Sequence, residues 1–79
     1  MRFILRGKAY VLTPRDVVAK MHGMSPEEIR KYYVIIEGEK YPPKQVLGEL
    51  VGLGRAEFTT MDATNILRRL GFGLGQFEV

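Results

Sequence analysis

Tyr33-Val34-Ile35-Ile36-Glu37-Gly38-Glu39-Lys40-Tyr41-Pro42-Pro43-Lys44-Gln45-Val46-Leu47 decides the fold. Its aromatic and β-branched opening favours a strand. Glu37-Gly38 is a two-residue reversal whose glycine takes the positive φ of a tight hairpin turn, and the return strand stops at Pro42-Pro43. Proline cannot continue a strand ladder but suits the first turn of a helix, so Lys44-Gln45-Val46-Leu47 opens one. Apolar spacing predicts that this helix runs over Lys44–Val51 and buries Val46, Leu47, Leu50 and Val51. Gly52-Leu53-Gly54 turns the chain back, and a threonine-capped helix follows over Thr60–Leu70, closing on Gly71-Phe72.

The N-terminal half carries a similar pattern. Phe3-Ile4-Leu5 and Lys8 to Leu12 flank Arg6-Gly7 and predict another hairpin. Thr13-Pro14-Arg15-Asp16 supplies an N-cap, a proline at the first helical position and an acid at the third, so a helix runs to about His22 with Val17, Val18 and Met21 inward. Ser25-Pro26-Glu27-Glu28 repeats that cap-plus-proline grammar and predicts a further short helix before the strand at Tyr32–Ile36. Gln76–Val79 reads as a final edge strand, open to pairing with another chain. Laid together, Gly7 matches Gly38, Tyr10 matches Tyr41, Pro14 matches Pro43, and Gly23-Met24 match Gly52-Leu53. The correspondence admits either a pseudo-twofold hairpin-helix-helix repeat or local grammar that any hairpin and helix end share. Both readings predict a small single α+β domain over 1–79, with two β-hairpins, three to four short helices and no internal linker.

Composition bounds the function. Seventy-nine residues suffice for one small core. The absence of cysteine excludes a disulfide framework and a thiolate zinc site, and makes a cytoplasmic setting the natural expectation. The longest apolar stretch, Tyr32–Ile36, is far short of the roughly 20 residues of a membrane-spanning helix, so no membrane role is expected. Twelve basic and nine acidic residues give a formal charge of +3, a mild excess that permits nucleic-acid contact without demanding it. Its placement is uneven: Arg2, Arg6, Lys8 and Arg15 all precede the first acid, Asp16, whereas the second hairpin tip is acidic at Glu37 and Glu39.

No catalytic constellation is visible. Ser25 has a helix-cap explanation and no adjacent base, and His22, the single histidine, sits at a helix end. The acid pairs Glu27-Glu28 and Glu37-Glu39 fall at a helix start and a hairpin tip, where solvated carboxylates are ordinary. Neither glycine run follows a strand and opens a helix, as a phosphate-cradling loop does. The expectation is therefore a protein that is not an enzyme, with no cofactor and no metal.

Recognition is the remaining class. Advancing about 100° per residue from Met61 gathers Ala63, Ile66, Leu67 and Leu70 on one side, with Met61, Thr64, Asn65 and Arg68 opposite and Arg69 beside them. Hydroxyl, amide and guanidinium groups hold phosphates and read base edges, although they are also common on any exposed helix, and Asp62 nearby opposes a phosphate. Lys44–Val51 and Thr60–Leu70 have a helix-turn-helix-like layout, with a connection longer than that motif's usual three or four residues. The basic Arg6-Gly7-Lys8 tip would then serve as a wing. Candidate nucleic-acid contacts are Arg6, Lys8, Lys44, Thr60, Thr64, Asn65, Arg68 and Arg69, with double-stranded DNA as the favoured partner and RNA not separated from it by residue type. The competing reading is a protein-interaction or oligomerisation adaptor, in which Arg6 and Lys8 of one copy face Glu37 and Glu39 of another in a homodimer.

The run Tyr33–Gly48, followed by Glu57-Phe58-Thr59-Thr60 and Ile66-Leu67-Arg68-Arg69-Leu70-Gly71-Phe72, resembles the small N-terminal accessory domain of McrA-like HNH restriction endonucleases, enzymes that cut modified DNA. In that family a strand leading to a Gly-Lys/Arg-Tyr-Pro-Pro-Lys step precedes a helix, and a Phe-led loop precedes a helix ending Leu-Gly-Phe. Thr59-Thr60-Met61 stands where the family has Ser-Gly-Gly. The resemblance covers Tyr33–Phe72, about half the chain, and implies a DNA-targeting accessory domain in restriction or defence, working beside a nuclease domain or subunit. It does not imply cleavage by this chain, because an HNH site needs paired histidines and an asparagine around a metal, and only His22 and Asn65 are present.

Overall fold

Both hairpins turn on the same backbone device. Arg6 (φ 54°) and Gly7 (φ 77°) join β1 (Arg2–Leu5) to β2 (Lys8–Val11), and Glu37 (φ 49°) and Gly38 (φ 81°) join β3 (Tyr32–Ile36) to β4 (Glu39–Tyr41). Two successive left-handed residues make a type I′ turn, whose twist matches that of the flanking strands. The computed structural model describes residues 1–78. Each hairpin feeds a helix with proline in its first turn, α1 (Pro14–Met21) and α2 (Pro43–Val51), and a left-handed glycine follows each, Gly23 (φ 77°) and Gly52 (φ 73°). A hairpin-helix unit thus occurs twice. A 3-10 turn at Arg55–Glu57 then leads to α3 (Thr60–Arg69). Capping boxes start α1 and α3: Thr13 pairs with Asp16, and Thr59 with Asp62.

The halves diverge after the first helix. The short helix expected from Ser25-Pro26-Glu27-Glu28 is absent, and Met24–Ile29 runs as an irregular strap. Side chains from the hairpin and helix that follow it occupy its backbone. The Glu27 N–H donates to Gln45 Oε1 at 2.8 Å, Gln45 Nε2 donates to the Ser25 carbonyl at 3.0 Å, and the Tyr41 hydroxyl donates to the Met24 carbonyl at 2.9 Å. A helix capped by Ser25 would need the Ser25 carbonyl for its own ladder. Gln45 is 3% exposed, so its carboxamide satisfies the strap and is itself satisfied in a place closed to water.

The second sheet has the order β4-β3-β5, antiparallel throughout, with β5 at Gly73–Gln76. The final strand therefore lies earlier than the expected Gln76–Val79, of which Val79 falls outside the described residues. Gly73-Leu74-Gly75, expected from sequence to precede the final strand, is itself strand, and Tyr33 lies across its register partner Gly75. A Cβ at Gly75 would overlap the Tyr33 hydroxyl and ring; an aromatic covering a glycine on the neighbouring strand supplies packing that glycine lacks. Met21, Leu47, Leu67, Val17, Val34 and Val46 form the driest part of the core, so α1, α2, α3 and β3 close one apolar centre.

Gln45→Leu keeps the volume but strands the Ser25 carbonyl and the Glu27 N–H. It is expected to cost about 2 kcal/mol and to lower the melting temperature by about 10 °C. An unchanged thermal melt would show that the strap holds itself.

Candidate nucleic-acid interface

Because the strap is tied down by Gln45, the starts of α2 and α3 are left facing it across an open groove of about 610 Å³. Lys44 and Thr60, both named from sequence, line this groove together with Arg30, Lys31, Tyr32 and Arg55. Arg30, Lys31 and Tyr32 were missed, since the stretch reads as a helix passing into a strand. A signal existed: Arg30-Lys31 and Arg68-Arg69 are the only adjacent pairs of cations in the sequence.

The acids near the groove are largely engaged. Arg55 reaches Glu27 at 2.9 Å and Glu49 at 3.8 Å, and its Nη1 donates to the Lys44 carbonyl at 3.5 Å. Gly48 eases that route: a Cβ there would stand 3.2 Å from Arg55 Nε and push the side chain slightly aside. Arg55 is thus a structural tie between strap and helix. Glu28 remains on the wall without an ion pair among the described residues. Lys44 Nζ lies 6.0 Å from the Phe58 ring centre, and Lys31 Nζ lies 5.3 Å from that of Tyr32.

On α3 the outward stripe holds Met61, Asn65, Arg68 and Arg69, all exposed. Arg68 Nη1 donates to Asn65 Oδ1 at 3.2 Å, one turn back, which preorganises the pair side by side. Asp62 is occupied in the capping box, accepting from the Thr59 N–H at 3.0 Å. Thr64 does not belong to this stripe. It is 4% exposed, and its hydroxyl donates to the Met61 carbonyl at 3.0 Å. α3 packs against both α2 and β5, which covers more of its surface than the narrow apolar stripe predicts, and the back-bonded hydroxyl needs no outside partner.

The first hairpin tip is also less free than expected. Arg6 pairs with Glu57 at 3.3 Å, at the turn that precedes α3. With both side chains well exposed, such a pair contributes little stability. Nevertheless it gives the tip's guanidinium an acidic partner within the chain. Lys8, 5.4 Å from the Tyr10 ring centre, makes no ion pair among the described residues.

The family profile named SCO5918-like matches residues 1–78. The chain belongs to the SCO5918-like family. The match takes in both hairpins, all three helices and β5, so the family spans the whole described architecture rather than the Tyr33–Phe72 run alone. No curated protein and no solved structure matches the chain. No helix among the described residues is long and apolar enough to cross a membrane.

Arg55→Ala should reduce global stability by no more than about 1 kcal/mol, the range for partly exposed pairs. Its local effect is expected to be larger: amide exchange across Glu27 and Glu28 should accelerate several-fold relative to the core strands. Uniform exchange in mutant and wild type would refute the tie.

Proposed function

We propose that this chain is a noncatalytic nucleic-acid-binding accessory domain that engages double-stranded DNA through the cations of the groove and of α3. The observation that carries this reading is the division of labour among charges. Asp16, Asp62, Glu27, Glu49 and Glu57 are each engaged inside the fold. Arg30, Lys31, Lys44, Arg68 and Arg69 make no salt bridge among the described residues. These five cations are left without an acidic partner among those residues, and phosphate neutralisation by such side chains supplies most of nonspecific DNA affinity. Within this reading α3 is the element presented to a groove, with Asn65 held ready for a base edge by Arg68, in a helix-turn-helix-like pair with α2. Resemblance to the accessory domain of McrA-like endonucleases supports a restriction setting, a nuclease domain or subunit as neighbour, and a cytoplasmic location.

A protein-interaction module is the second reading, favoured by one observation. Ile4 and Val11, 69% and 72% exposed, share the outer face of β1–β2 with Ala9. Sedimentation showing a strict monomer at high concentration would remove its self-association form.

Charge reversal at Arg68 and Arg69 should weaken duplex binding by a similar factor on every sequence and flatten the plot of log affinity against log salt by about 2. Both residues are exposed but lie in the last turn of α3, where the helix dipole favours cations, so the melting temperature should fall only modestly. Absence of any anisotropy change for wild-type protein with duplex DNA at about 50 mM salt would end the proposal, and parallel methylated, unmethylated and RNA duplexes would rank the targets.

A further inference from the structure

The outer face of β4-β3-β5 belongs to neither the groove nor α3. Val34, Ile36 and Tyr41 point into the core, so alternation sends Tyr33, Ile35 and Lys40 to the solvent side. Beside them β5 presents Gly75, on which the Tyr33 ring lies, and Gly73, above which the sheet is open. Phe77 extends this surface. Its N–H donates to the Lys31 carbonyl at 2.8 Å, its ring centre stands 5.1 Å from that of Tyr33 with the planes tilted 42°, and it is 42% exposed. Lys40 Nζ lies 4.7 Å from the Tyr33 ring centre and 5.3 Å from that of Phe77. Glu39 and Tyr41, its neighbours in β4, alternate to the opposite face.

We infer that this face is a stacking platform for an unpaired base of single-stranded nucleic acid, with Lys40 meeting the adjoining phosphate. The inference rests on the nucleic-acid reading above and assigns it a second strand form at a separate surface. Aromatic rings on an open sheet face, flanked by lysines, are the chemistry with which proteins hold bases without reading sequence. The lysine over the rings is consistent with this occupant. An exposed cation–π contact is weaker than base–aromatic stacking, so an arriving base displaces the ammonium from the rings and releases it toward phosphate. The same lysine disfavours an apolar partner, such as a second copy, because docking would bury an unpaired ammonium.

The chain contains no tryptophan, so Phe77→Trp installs a single reporter. Titration of that variant with an oligo-dT of about 12 nucleotides should quench the indole saturably. Phe77→Ala should weaken single-strand binding about tenfold, with duplex affinity unchanged, and Lys40→Gln should reduce the single-strand salt slope by about 0.7. No quenching, or equal single-strand affinity in wild type and Phe77→Ala, overturns the platform. Duplex binding without quenching removes the platform alone, whereas quenching without duplex binding keeps it and removes the α3 reading. An indole signal that tracks protein concentration instead of oligonucleotide assigns the face to self-association and overturns the inference.

Discussion

The carboxamide of Gln45 is the contact on which the arrangement depends. It sits in the first turn of α2 and bonds two backbone groups of the strap, 18 and 20 residues earlier in the chain. Tyr41, four residues upstream, completes the hold at Met24. Hydrophobic burial brings α1, α2, α3 and β3 together but has no directional preference. These hydrogen bonds fix where the connection between the two hairpin-helix units runs. They therefore determine that the starts of α2 and α3 face a groove instead of a packed helix.

Local grammar was legible wherever a structure is specified by its own residues. Both hairpins follow from a glycine between alternating strands. α1, α2 and α3 follow from caps, prolines and apolar spacing, with ends within a residue of the expected ones. The strap and β5 were misread for one reason: each is decided by a side chain supplied from elsewhere. Ser25-Pro26-Glu27-Glu28 has a good helix start, yet Gln45 takes the Ser25 carbonyl and Tyr41 anchors Met24 just before it. Gly73-Leu74-Gly75 has poor strand propensity, yet Tyr33 covers it. Tertiary contact overrode propensity in opposite directions.

The candidate interface was legible to the same degree. Asn65, Arg68 and Arg69 are exposed on one stripe, as a 3.6-residue period dictates, because a helix surface follows from its sequence alone. Thr64 departs from that stripe because the width of the covered face depends on how many neighbours α3 has. Arg6 departs because Glu57 approaches it from a distant turn. Lys44 and Thr60 gain Arg30, Lys31 and Tyr32 as neighbours only through the path of the strap.

The two hairpin turns leave the domain with headroom. Arg6 and Glu37 adopt a left-handed backbone that ordinary side chains enter at a cost, where asparagine is far more comfortable. Arg6 is tied to Glu57, whereas Glu37 makes no ion pair among the described residues. Glu37 thus occupies a position whose backbone asparagine would adopt at lower cost. Its second tip is a natural place to begin engineering a hardier version without disturbing the interior.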